Sequence, residues 1–288
     1  MLLLATAISG LAAGAAYALV ALTILLTYRF VGVINFAQTA VGAMGAFVMA
    51  TLWGNDVPLG IAVIAGIAVA VALNSLIGIM LVAWFADGST VVRTAVTIAV
   101  FTALVGLGGH FFNSQNPRPF PSPFREQAFR AGGVSVTWLV VVTALSAVVL
   151  TLALTWLLRN TQLGLRMRAL SDRPKTAELL GVPATRIAML VWAVSGALTA
   201  LALMLVAPLF PSDYESLTLL ITGAFAAALI GGFRHFSLTL LGGLLIGAVQ
   251  GGLSSVDAVS EYRGAVPLIV ILAVVIYANR GARWEPAT

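Results

Sequence analysis

The chain has 288 residues, 60% of them hydrophobic and only 9% charged, with a mean hydropathy of +1.05. Soluble domains use roughly 45–50% apolar residues, so an ordinary water-soluble fold is excluded. Cysteine is absent, which excludes disulfides and thiolate metal sites, and the net charge of +5 reads as basic loops beside a membrane rather than as a nucleic-acid surface.

Uncharged apolar runs of about 20 residues are long enough to cross a bilayer as helices. In chain order the runs between charges give nine candidate spans, with eight to ten as the range: about 2–27, 37–53, 60–85, 92–110, 136–158, 187–208, 216–232, 238–256 and 264–279. The expected fold is therefore an all-α polytopic membrane protein, read as a single transmembrane domain over residues 1–288. No positive charge precedes Arg29, and the first run is too long for a signal-peptide core, so it reads as a retained span. "GNDVPLG" (54–60) and "FADGST" (85–90) supply turn residues between spans. "NSQNPRPFPSPFREQ" (113–127) holds four prolines and predicts a non-helical loop within 111–135. Segments 28–53 and 216–256 are rich in glycine, the composition of broken or re-entrant helices.

Orientation follows from Lys and Arg. With the C-terminus in the cytoplasm and the N-terminus outside, eleven basic residues fall inside and four outside. Arg118, Arg125 and Arg130 are three of those four, in a Pro-rich loop 111–135 placed outside with Pro117, Pro119, Pro121 and Pro123. No ionisable residue sits in mid-span, whereas proton-coupled carriers and voltage sensors usually keep one there. Any energy the protein uses is thus expected to enter from elsewhere, and no GxxxxGK[ST] motif occurs in the sequence.

Polar residues inside the spans are few: Asn35 and Gln38 near the second, Asn74 in the third, Gln250 in the eighth. Two readings stand for each amide, a hydrogen bond to a neighbouring helix or a place on a substrate pathway. Gly10 and Gly14, and the ladder Gly243, Gly247 and Gly251, have helix-packing spacing, within one subunit or between two. "FAQTAVG" (36–42) and "FSLTLLG" (236–242) share Phe, Thr and Gly at equal spacing, a faint internal echo.

One stretch departs from the rest. In "RNTQLGLRMRALSDRPKTAELLGVPATR" (159–186) eight of 28 positions are charged. Ser171 or Asp172 is placed to cap a helix over about 172–180, with Pro174 in its first turn and Gly181 and Pro183 ending it. Two turns are unstable alone in water, so this helix needs a surface to pack on, through Leu179 and Leu180. Lipid headgroups, the underside of the spans and a separate cytoplasmic subunit all qualify as that surface.

Residues 10–48, "GLAAGAAYALVALTILLTYRFVGVINFAQTAVGAMGAFV", resemble the opening of permease subunits of branched-chain amino acid ABC importers, the LivH-like group. "TQLGLRMRALSDRPKTAELLGVPATRI" resembles that group's cytoplasmic segment. "GAFAAALIGGFRHFSLTLLGGLLIGAVQGGL" and "YRGAVPLIVILAVVIYANRG" resemble its last spans. Thr39 stands where the group usually has glycine, and "GGFRHFSLT" replaces its usual "GGLGSLPGA". The resemblance implies a bacterial inner-membrane permease subunit without enzymatic activity of its own. Its implied partners are a second permease in a heterodimer or homodimer, two cytoplasmic ATPase subunits holding ATP and Mg²⁺, and an external substrate-binding protein. It makes 159–186 a cytoplasmic coupling segment with Asp172, Pro174, Glu178, Leu180 and Gly181 at the ATPase contact. The implied substrates are branched-chain or other hydrophobic amino acids, with urea, amides or sugars as alternatives. A stand-alone channel or secondary transporter is the competing class, and a membrane enzyme lacks the convergent acid–base residues it needs.

Overall fold

A computed structural model describes residues 2–85, 87–112, 119–124, 126–131, 134–256, 259–278 and 280. In chain order the helices are α1 (Leu2–Val31), α2 (Gln38–Trp53), α3 (Leu59–Trp84), α4 (Thr90–Phe111), α5 (Trp138–Asn160), α6 (Gln162–Asp172), α7 (Pro174–Leu179), α8 (Ala184–Val206), α9 (Tyr214–Thr218), α10 (Leu220–Ile230), α11 (Phe236–Leu253) and α12 (Val266–Ala278). The strands β1 (Gln127–Ala131) and β2 (Val134–Thr137) precede α5.

Among the described residues, seven helical stretches are long and apolar enough to cross a membrane, so the chain is a multi-pass α-helical membrane protein. The other two expected spans are shorter apolar helices, Gln38–Trp53 and Tyr214–Ile230. Sixteen residues of α2 extend about 24 Å, less than the roughly 30 Å of a hydrocarbon core. Both short helices lie in the glycine-rich segments.

α1 is the axis of the bundle. Its most apolar stretch is 72% buried within the chain, against 11% for Ser260–Ala278 at the periphery. Lipid offers no hydrophobic drive for joining helices, so close van der Waals approach has to supply it. α1 achieves this against α11: a Cβ on Gly14 would lie 2.7 Å from the Gly243 carbonyl oxygen, and one on Gly243 2.8 Å from the Ala18 nitrogen. The glycine ladder is thus used within one chain.

The loop between α4 and α5 is not wholly irregular. β1 and β2 form an antiparallel hairpin, pairing Gln127 with Thr137 and Arg130 with Ser135. Val134, Val136 and Thr137 are β-branched and suit a pleated ribbon, a local signal too short to register beside the spans. Residues 119–122 take no regular structure, as their prolines require. Phe120 is buried and packs edge-on against Phe47 of α2, 5.1 Å between centroids. Pro117, Arg118 and Arg125, with the side chain of Arg130, lie outside the described residues.

The helix expected over about 172–180 is present as α7, beginning at Pro174, and a further helix, α6, precedes it. Ser171 and Asp172 end α6 instead of capping α7, because Thr161 caps α6 earlier by accepting from the Gly164 N–H at 3.0 Å. Pro174 starts α7 and Arg173 precedes it without a side-chain cap. Gly181 does end α7: its φ of +84° is left-handed, and the Val182 N–H reaches back to the Ala177 carbonyl at 3.0 Å.

Candidate functional site

Between α1 and α2 the chain breaks. Gly32 has φ +74°, a conformation that disfavours any side chain, and residues 33–35 take no regular structure before a turn into Gln38. Non-helical backbone among membrane helices survives only where protein or a water-filled cavity satisfies its hydrogen bonds. Thr97 of α4 does so: its Oγ1 accepts from the Phe36 N–H at 3.2 Å and lies 3.0 Å from the Ile34 carbonyl oxygen. The Ala37 N–H donates to Asn35 Oδ1 at 3.1 Å.

The same break gathers three of the sequence-predicted amides. Asn35 Nδ2 donates to Gln38 Oε1 at 2.7 Å and to Asn74 Oδ1 at 3.0 Å. Gln38 Nε2 donates to the Ser195 carbonyl at 3.0 Å and to Thr199 Oγ1. Asn74 Nδ2 donates to the Trp192 carbonyl at 2.6 Å and to Ser195 Oγ at 2.9 Å. Every amide N–H of the three side chains is therefore used, and all three residues are fully buried. Thr199 Oγ1 also lies 2.9 Å from Thr23 Oγ1, which brings α1 into a knot with α3 and α8. Thr23 precedes the end of α1 by eight residues, about 12 Å along its axis, so the break re-enters the bundle to that depth.

Sequence reasoning missed Thr23, Thr97, Ser195 and Thr199. Ser195 and Thr199 are spaced i and i+4 on α8, and that pair of hydroxyls on one helix face was the available signal. Gln250 is not part of the knot: its Nε2 donates to the Arg263 carbonyl at 3.0 Å, beyond α11.

Thr39 has a specific partner. Its Oγ1 donates to the Thr218 carbonyl at 3.0 Å, at the interruption between α9 and α10. There the Thr222 N–H bonds Leu219 instead of Thr218, which frees that carbonyl. Nearby, Tyr214 Oη donates to the Ala40 carbonyl at 2.8 Å. The two short helices are thus pinned to each other. The internal echo has a geometric side as well: Gly32 precedes α2 and Gly232, with φ +58°, precedes α11.

The charged stretch leaves its apolar residues uncovered. Leu179 is 88% exposed and Leu180 80%, while Ala177 alone in α7 is buried. Asp172, Pro174, Glu178 and Gly181 are likewise exposed. Ser171 Oγ donates to the Arg29 carbonyl at 2.9 Å and ties α6 to the end of α1.

Residues 6–275 match the family model described as "Branched-chain amino acid transport system / permease component". The chain is 26% identical to a probable branched-chain amino acid transport permease protein LivH of Methanocaldococcus jannaschii, over 93% of this chain and 89% of that one. It is 25% identical to the high-affinity branched-chain amino acid transport system permease protein LivH of Escherichia coli K12, over 96% and 94%. A more distant likeness, 25% over 83% of this chain and 74% of the other, is to the ribose import permease protein RbsC of Escherichia coli K12. With nearly its whole length inside the family model, the chain belongs to the branched-chain amino acid transport system permease family.

Proposed function

We propose that the chain is one membrane-spanning subunit of an ATP-driven importer for branched-chain or other hydrophobic amino acids. The observation that carries the mechanism is α7, a short helix closed by Gly181 that presents Leu179 and Leu180 to solvent, uncovered among the described residues. A transporter with no ionisable group in mid-span needs an external source of work, and an exposed helix fastened to the transmembrane core is a route for it. In this reading 159–186 is the cytoplasmic coupling segment. Asp172, Pro174, Glu178, Leu180 and Gly181 meet one of two ATPase subunits, which hold the ATP and Mg²⁺.

The reading places the chain in a bacterial inner membrane with nine crossings, N-terminus outside and C-terminus in the cytoplasm. α2 and the α9–α10 pair are crossings completed by non-helical backbone. A second permease, in a heterodimer or a homodimer, completes the passage, and the loop 111–135 faces an external substrate-binding protein. Asn35, Gln38 and Asn74 hold the break in place beside the path, since their donors are spent within the protein.

The likeness to a ribose permease supports a second reading of the substrate, a small neutral polar solute such as a sugar. The complex purified with its own ATPases and binding protein, and assayed with labelled leucine and labelled ribose, separates the two. ATP-dependent leucine uptake supports the proposal. Ribose uptake without leucine uptake transfers it to the second reading, and flux through this chain alone ends both.

A further inference from the structure

A cavity of about 980 Å³ lies where several helices end on one face of the bundle. Arg29 from the last turn of α1, Arg159 from the last turn of α5, Arg168 from α6, and Arg234 and His235 from the turn before α11 line it. Asp172 is the single carboxylate in the lining, so four guanidiniums face one negative charge.

Of the four guanidiniums, Arg29 is fixed by the protein and has Asp172 as its electrostatic neighbour. Arg29 Nη1 donates to the Arg234 carbonyl at 2.9 Å, and its guanidinium sits 5.8 Å from the Phe236 ring centroid. Arg168 Nε is buried without a hydrogen-bond partner. Among the described residues, no carboxylate lies within ion-pair distance of Arg159, Arg168 or Arg234. The turn that presents Arg234 and His235 is itself strained at Phe233, a bulky residue with φ of +51°. Two helix N-termini also open on the space, through Thr90 of α4 and Ser237 of α11, adding N–H groups and partial positive charge.

Clustered guanidiniums with free N–H groups and helix N-termini match the tetrahedral oxygens of a phosphate better than a single carboxylate. We propose that this cavity binds a phosphate group of net negative charge, carried by an anionic phospholipid at the membrane surface or taken as free inorganic phosphate. Span ends set the cavity at headgroup level. Beside it α5 exposes Leu152 and Trp156, and α11 exposes Leu238 and Leu241, a surface suited to acyl chains. An anion there bridges α6, next to the coupling helix, to the ends of α1 and α5 and the turn before α11.

The test uses the full chain, stripped of lipid in neutral detergent. Native mass spectrometry and the thermal midpoint are followed with phosphatidylglycerol, with phosphatidylcholine of the same acyl chains, and with sodium phosphate. The expected result is one phosphatidylglycerol retained at least tenfold more tightly than phosphatidylcholine. Arg168→Gln and Arg234→Gln should each remove most of that preference, and Arg166→Gln, exposed on the same α6, should keep it. A phosphate-induced midpoint shift that competes with phosphatidylglycerol supports the site with free phosphate as a source; phosphatidylglycerol binding without it supports the site as a lipid site. Equal retention of both lipids by the unmodified chain, together with no phosphate shift, overturns the proposal without relying on any variant. So does a preference that survives both Arg168→Gln and Arg234→Gln.

Discussion

Asn35 and Asn74, 39 residues apart in sequence, meet through a 3.0 Å hydrogen bond from Asn35 Nδ2 to Asn74 Oδ1. The bond joins the non-helical break after α1 to the middle of α3. Asn35 contributes its other N–H to Gln38, so the pair sits at the centre of the knot. Replacing Asn74 with Ala leaves one buried Asn35 N–H without its acceptor and removes the amide donor to Trp192 and Ser195, which then keep only the bond from Ser195 Oγ to the Trp192 carbonyl. Leaving buried groups unsatisfied costs about 1–3 kcal/mol, so Asn74→Ala should lower the unfolding midpoint in detergent clearly. Asn35→Ala should cost a similar amount, and the double variant less than the sum of the two. Additive losses would mean that the bond contributes nothing.

Thr39 offers a finer test of the second break. Thr39→Val keeps the shape but leaves the Thr218 carbonyl without its donor, an expected loss of about 1 kcal/mol. Thr39→Ser should recover most of it. Thr39→Gly should fall a few tenths of a kcal/mol below Thr39→Val, because glycine is a poorer helix former than valine in α2. Unfolding of the three variants side by side gives the order.

Close approach of α1 and α11 predicts a position-dependent response to added bulk. A side chain on Gly247 would run into the backbone of Gly14 and Gly10, whereas one on Gly252 meets nothing within 4 Å. Gly247→Val should abolish monodisperse purification, and Gly252→Ala should behave as the parent chain. Size-exclusion profiles after matched expression make the comparison.

If α7 is the proposed coupling helix, Leu180→Asp and Glu178→Lys change side chains that are exposed and make no side-chain hydrogen bond among the described residues. Neither should alter membrane insertion or the unfolding midpoint by more than about 0.5 kcal/mol. Both should reduce capture of the ATPase subunits at least tenfold. Full capture by both variants would return α7 to a lipid-surface role.

The sequence carries the fold to different depths in different places. Span positions follow from apolar runs, which lipid enforces on any helix that crosses it. Gly181 and Gly32 mark chain reversals because few residues other than glycine adopt left-handed φ at low cost. The start of α7 was legible to within two residues, but its cap was not, since Thr161, Ser171 and Asp172 all have capping chemistry and the last two belong to the end of α6. Asn35, Gln38 and Asn74 stood out as rare amides. Their partners Ser195, Thr199 and Thr23 did not, because hydroxyls are common in helices and their meeting depends on how each helix is rotated. The basic cavity was invisible for the same reason: Arg29, Arg159, Arg168 and Arg234 are scattered over more than 200 residues of sequence, and only folding brings them to one face.

The central claim is that this chain moves its substrate only when ATPases act on it through α7. The most direct measurement is uptake of labelled leucine into proteoliposomes holding either the whole complex or this chain alone, with and without ATP. The account predicts ATP-dependent uptake by the complex, its loss in the Leu180→Asp complex, and none by the chain alone. Leucine flux through the purified chain without ATPases would contradict it.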